Sequence, residues 1–304
     1  MTAPPPLFDR AAHRAHLDRA ARGYAGFLKA RAAADAADRL SAVLHDFPLA
    51  VDLGARDGAF ARALVGTPAA GRIGTLIEAD FSEAMLRSNR PQSFRAPRLV
   101  ADEERLPFAE QSLDLVVSLL SLHWTSDLVG ALVQIRRALK PDGLLMGALF
   151  GGATLTELRQ SLLAAEAEVW GGAGLRVSPF ADGFDAAGLL QRAGFALPVA
   201  DVDRLTVNYA HPLKLLAELR AMGETNALID RARKPLTRPV LARMCEIYQE
   251  RFGLADGRVP ATFEIVSTAG WAPHPSQQQP LKPGSAKMRL ADALHAVEHK
   301  LPRE

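Results

Sequence analysis

Val51-Asp52-Leu53-Gly54-Ala55-Arg56-Asp57-Gly58 constrains the fold of this chain more than any other stretch. An apolar run meets a glycine-bearing turn, and a helix-like segment, Ala59 to Val65, follows. A second strand, Ile73 to Ala79, ends on Asp80. Strand, glycine turn, helix, strand and acid in that order let a doubly wound α/β domain bring backbone against a nucleoside and hold its ribose hydroxyls. Glycine spacing separates the ligand types. A dinucleotide fingerprint needs G-x-G-x-x-G, whereas the turn here is Gly54-x-x-x-Gly58.

The rest of the chain repeats the alternation. Asp9 to Leu44 is alanine- and arginine-rich with few breakers and reads as one or two helices ahead of the core. Strands are expected at Leu49–Leu53, Ile73–Ala79, Arg98–Ala101, Asp114–Leu120, Leu144–Phe150, Leu197–Tyr209 and Thr262–Thr268. The run at 114–120 is nearly all apolar, as in a parallel strand covered on both faces. Ser82 reads as a helix N-cap, and Lys140-Pro141-Asp142-Gly143 as a turn. Helices are expected at Leu128–Leu139, Leu155–Trp170, Ala186–Ala193, Pro212–Met222, Asn226–Arg233 and Arg238–Phe252. This predicts an α/β fold, a doubly wound and mostly parallel seven-stranded sheet, with N-terminal helices and a helical insertion before the last strand. The segments divide as 1–45 N-terminal helices, 46–210 Rossmann-like domain, 211–258 insertion or lid, 259–270 last strand and 271–304 a tail. Gln277 to Gln279 and several prolines make that tail extended or disordered until bound.

Composition excludes several classes. With 304 residues, 48% hydrophobic and 23% charged, the chain can bury a sizeable core. A net charge of +2 with scattered arginines gives no electrostatic case for nucleic acid. The single cysteine, Cys245, excludes an internal disulfide and reads as a buried structural thiol in a reducing compartment. No apolar run is long enough for a membrane span, and no signal region opens the chain, so a cytoplasmic location is expected. No metal centre is expected.

The site candidates follow from position. Asp52 can accept from a ligand amine or fix its own loop, and Gly54 and Gly58 let backbone come close. Asp80 can accept from both ribose hydroxyls or cap a helix. Asp102 and Glu103, after the third strand, can accept from a base amino group. The loop fits the acidic-x-Gly-x-Gly-x-Gly pattern of S-adenosylmethionine enzymes, with Arg56 in the place of the middle glycine. So long a side chain at the point of closest approach either swings outward or fills the pocket. His123 and Trp124 follow the fourth strand at the carboxyl edge, where an aromatic face can attract a sulfonium or guanidinium or simply pack beneath the lid. Glu157 and Arg159 read as a solvated pair, and Phe180 and Tyr209 as core.

Val-Asp-Leu-Gly, Glu-Ala-Asp-Phe-Ser-Glu-Ala-Met-Leu, Ala-Asp-Glu-Glu-Arg-Leu-Pro-Phe, Ser-Leu-Asp-Leu-Val-Val-Ser and Leu-Lys-Pro-Asp-Gly-Leu resemble the ordered motifs of the class I S-adenosylmethionine-dependent methyltransferases. Leu122-His123-Trp124, Gly151-Gly152-Ala153-Thr154-Leu155, Ser178-Pro179-Phe180 and Met222-Gly223-Glu224-Thr225-Asn226 are similar to the malonyl-carrier-protein methyltransferases and to the mitochondrial complex I assembly factor 5 group. The resemblance implies S-adenosylmethionine as cofactor, held by Asp52, Gly54, Ala55, Gly58, Asp80, Phe81, Asp102, Glu103 and Ser118. It implies a protein or carrier-linked acceptor, a complex I subunit among them. Methyl transfer, arginine hydroxylation and a non-catalytic scaffold all remain open on that fold.

Overall fold

The computed structural model describes residues 6–88, 97–180 and 185–278, with positions 285, 288 and 292. Its strands are β1 (Phe47–Leu53), β2 (Ile73–Asp80), β3 (Arg98–Val100), β4 (Leu113–Leu119), β5 (Leu139–Phe150), β6 (Ala196–Tyr209) and β7 (Val259–Trp271). Its helices are α1 (Arg10–Ala20), α2 (Phe27–Ser41), α3 (Ala59–Leu64), α4 (Glu83–Ser88), α5 (Leu128–Ala138), α6 (Thr156–Trp170), α7 (Ala186–Arg192), α8 (Pro212–Met222) and α9 (Arg238–Phe252). The strands form one sheet in the order β3-β2-β1-β4-β5-β7-β6. β7 runs antiparallel to both β5 and β6, while β1 to β5 pair in parallel.

β4 sits inside the sheet because six of its seven residues are buried, as its apolar sequence requires. One face of the sheet packs a large apolar cluster drawn from α2, α3, α6, α8 and α9, the other a cluster drawn from α5 and α7. Ser82 caps α4, its Oγ accepting from the Met85 amide at 3.1 Å. Parallel register sets Leu53 beside Ala79 and Asp80 beside Val100, so the ends of β1, β2 and β3 open on one carboxyl edge. Across that edge lies α1, held by packing of Leu17 and Ala20 on Met85 and by a bridge between Phe8 and Leu228.

Three expectations change. Asn226 to Arg233 is not helical. The Asn226 side chain accepts from the Leu228 amide and donates to the Leu175 carbonyl, local bonds that compete with a helix. The Lys140–Gly143 turn is a bulge within β5, since Leu113 pairs with Leu139 but Leu115 with Leu144, and Asp142 takes a φ of 64°. Cys245 is half-buried, packed by one side against the larger core. Residues 1–273 form one compact unit. In the second unit His274 to Gln277 make a turn, and most of the expected tail lies outside the described residues.

Candidate functional site

Gly54 takes a φ of +79°, and a Cβ there would lie 2.3 Å from Ser121 Oγ, so the turn after β1 tolerates only glycine. Gly58 opens α3 with a φ of 74°. Between them Arg56, also left-handed at φ 54°, points its side chain inward. It is 1% exposed and Asp80 0%. The Arg56 amide and Nη1 each donate to Asp80 Oδ2 at 2.8 Å, while Asp80 Oδ1 accepts from the Ser82 amide. The long side chain therefore fills the pocket rather than leaving it.

The network continues along the edge. Arg56 Nη2 lies 3.5 Å from Ser121 Oγ, which donates to Glu103 Oε1 at 2.6 Å. Arg10, from α1, donates to Glu103 Oε2 and to Asp102 Oδ1, each at 2.6 Å. The Arg10 and Arg14 guanidiniums both stand 4.1 Å from the centre of the Phe81 ring. His13 stacks on Trp124 with centroids 4.4 Å apart and lies parallel to Phe81 at 6.2 Å. Both its ring nitrogens are buried without a partner among the described residues. Burial, with Arg56 and Arg10 adding their charges, holds its pKa well below the ordinary imidazole value.

Asp52 is fully buried, and neither carboxylate oxygen has a hydrogen-bond partner among the described residues. Burial pushes its carboxyl up to about 7 against the opposing pull of Lys29, with Glu78 and Asp80 pushing further up. Lys29, from α2, spends its donors on the carbonyls of Gly54 and Leu119 at 2.6 and 2.5 Å. Ala55 donates its amide to Ala79, and Ser118 its hydroxyl to the Leu53 carbonyl at 3.0 Å. These two tie the strands together.

Beyond Trp124 a cavity of about 390 Å³ opens under α8, walled by Trp124, Phe150, Leu158, Phe180 and Phe263. Glu224, just after α8, accepts from Trp124 Nε1 at 2.9 Å and lies 3.3 Å from His123 Nε2. Phe180 packs against the larger core and also lines the cavity, whereas Tyr209 is buried and its hydroxyl donates to Glu218. Glu157 and Arg159 do not pair. Glu157 accepts from Thr262, and Arg159 donates to the Thr154 carbonyl.

Arg10, His13 and Glu224 were not picked out from sequence. Arg10, His13, Arg14 and Leu17 fall at one-face helical spacing, the signal that could have placed the first two together. Among the described residues no three His, Cys, Asp or Glu side chains converge as metal ligands. One sequence spacing of that type, His295-x-x-x-His299 around Glu298, lies outside the described residues.

The Methyltransferase domain family matches residues 51–147. Arginine-hydroxylase NDUFAF5 of Danio rerio is 41% identical over 88% of this chain and 81% of its own length. The Homo sapiens protein of that name is 40% identical over 91% and 78%. Malonyl-[acyl-carrier protein] O-methyltransferase of Laribacter hongkongensis is 34% identical over 91% and 94%. The chain belongs to this S-adenosylmethionine-dependent methyltransferase family. A crystal structure from Bacillus halodurans C-125 shares the fold at a TM-score of 0.55 and 16% identity, covering 79% of this chain and 99% of that one.

The family's cofactor can be tested against the residues present. The open acceptors of Asp52 and the bare Gly54 suit the ammonium and close backbone contact of its amino-acid end. The nucleoside end would have to share its acids. Asp80 already accepts from Arg56, and Glu103 from Arg10, so a ribose and a base compete with both guanidiniums there.

Proposed function

We propose that this chain modifies an arginine side chain of a protein substrate, using S-adenosylmethionine as the family does, with the target guanidinium seated against Glu224. One observation carries this reading: a carboxylate set in an aromatic-walled cavity next to Trp124. A guanidinium stacks on aromatic faces and forks onto a carboxylate, so the walls and the acid select the same group. A cavity of about 390 Å³ is within the range that takes a small ligand or side chain. A carrier-linked malonyl carboxylate would have to avoid Glu224 and seat against Arg19 and Arg220, which share the cavity lining. By resemblance to NDUFAF5, the protein substrate is a respiratory complex I subunit.

Asp52, Gly54, Ala55 and Gly58 would hold the cofactor's amino-acid end, and Asp80, Phe81, Asp102 and Glu103 its nucleoside, with Ser118 bracing the strand behind them. Bound there, the cofactor supplies an activated methyl group. The chain contributes position: Trp124, on the cavity wall and stacked on His13, sets the acceptor's distance, and α1 with α8 excludes water. Arg56 and the ribose compete for Asp80. The single cysteine suits a cytosolic, reducing setting.

The test is mass spectrometry of complex I subunits from wild-type and deletion strains, repeated in vitro with labelled S-adenosylmethionine. An arginine that gains one methyl only with the active protein, and not with Glu224→Gln, supports the reading. A gain of one oxygen, which S-adenosylmethionine does not supply and which needs dioxygen and a two-electron reductant, would mark hydroxylation in place of methyl transfer. Unchanged arginines alongside methylation of a malonyl thioester would overturn it.

A further inference from the structure

Four arginines line the cavity under α8, and they differ in how their charge is met. Arg176 pairs with the buried Glu166 at 2.5 Å, and Arg231 with Asp9 at 2.9 Å. Arg19 and Arg220 have no carboxylate within ion-pair distance among the described residues. Both are exposed at the rim, one on α1 and one on α8. They repel each other: after partial burial, the charge of Arg220 is what lowers the pKa of Arg19. His16, on the same rim, is also lowered, first by burial and then by Arg19, Arg231 and Arg220. Like charges gathered at a cavity mouth without a counter-charge cost free energy, which an anion seated between them would return.

The geometry ties these arginines to Glu224. Arg19 Nη2 lies 3.4 Å from Thr225 Oγ1, Thr225 directly follows Glu224, and Glu224 lines the same cavity. An arginine entering to reach Glu224 would carry its own chain neighbours past Arg19 and Arg220. An extended peptide advances about 3.3–3.6 Å per residue, so the neighbour that meets the rim is one or two positions away.

Resting on the arginine reading above, we propose that Arg19 and Arg220 form a carboxylate-binding site that selects a target arginine flanked by an acidic residue. The occupant is a peptide Asp or Glu within two positions of the arginine. Its carboxylate takes the two guanidiniums while the target takes Glu224. The cation at Glu224 and the anion at the two arginines give the substrate an orientation as well as affinity, because a peptide with the two charges exchanged meets repulsion at both ends.

The experiment is fluorescence anisotropy on the full chain with labelled peptides, a direct readout that needs no turnover. Three peptides are compared: arginine with a flanking Glu, arginine with Gln in its place, and Gln with a flanking Glu. The Arg–Glu peptide is expected to bind about tenfold tighter than the Arg–Gln peptide at low salt. That advantage should vanish at high salt and in the Arg19→Gln/Arg220→Gln protein, whose exposed substitutions leave the melting temperature unchanged. Equal binding of the Arg–Glu and Arg–Gln peptides overturns the acidic-flank site and leaves the arginine reading standing. Equal binding of the Arg–Glu and Gln–Glu peptides does the reverse, keeping the rim site and removing the target from Glu224. Binding of none of the three, with a malonyl thioester held through Arg19 and Arg220 instead, overturns both.

Discussion

The guanidinium of Arg56 meets the carboxylate of Asp80 at 2.8 Å with both side chains essentially out of solvent. Burial alone would lower the pKa of Arg56, and Asp80 together with Tyr24, Glu103 and Glu224 more than offsets it. A buried pair of this kind is weak evidence of stability but is costly to halve, because the remaining charge is stranded. Arg56→Met or Asp80→Asn alone should destabilise the ligand-free protein by about 3–5 kcal/mol, and the double variant by clearly less than their sum. Denaturant unfolding of the four proteins measures this. Additive losses would show the two groups to be uncoupled.

Asp52 gives cofactor binding a pH dependence. Its carboxyl, pushed up to about 7, is neutral below that pH and an anion above it. Affinity for the ammonium of S-adenosylmethionine should rise from about pH 6 to about pH 7.5, and Asp52→Asn should flatten the rise. The free protein runs the other way. A carboxyl whose folded pKa is raised contributes stability below its unfolded value, and that contribution is lost as pH climbs through about 7. An unchanged pH slope in the Asn variant would remove Asp52 from the ligand's amine.

His13 acts on stability in the opposite sense. Its folded pKa is depressed, so its contribution is fully present above the unfolded imidazole value of about 6.5 and is lost as pH falls below it. His13→Phe keeps a ring between Trp124 and Phe81 but cannot take a proton. Its melting temperature should fall less than that of the wild type between about pH 7.5 and about pH 5.5. Parallel curves would mean that other groups govern the acid limb.

Trp124 serves twice, as an aromatic wall and as the donor to Glu224. Trp124→Phe retains a face and loses the donor, while Trp124→Leu loses both. Steady-state kinetics on an arginine substrate should show KM rising in the order wild type, Phe, Leu, with the Leu variant weakened by about 1–2 kcal/mol. Equal effects of the two would assign Trp124 to packing alone.

The fold was legible because its signals are local and repeated. The 114–120 run could only be a covered strand, and Gly54 and Gly58 mark a turn no other residue adopts easily. The acids after β2 and β3 were legible for the same reason, as their place at the strand ends follows from chain order. Their partners were not. Arg10 reaches Glu103 from 93 positions away, and Glu224 reaches Trp124 from 100. Nothing in a helix of scattered arginines announces which carboxylate each will meet. Asn226 misled for a related reason: its side chain bonds to a local amide and a distant carbonyl, where periodicity alone predicts another helical turn.

The central claim is that Arg56 and the nucleoside compete for Asp80, and isothermal titration with S-adenosylmethionine tests it most directly. Arg56→Gly keeps the left-handed turn, frees Asp80, and should bind about tenfold or more tighter than wild type, while Asp80→Asn should bind more weakly than either. Thermal melts of all three confirm that each is folded at the titration temperature. If Arg56→Gly bound no tighter than wild type, or Asp80→Asn bound equally well, the nucleoside would not lie on Asp80 and the account would be contradicted.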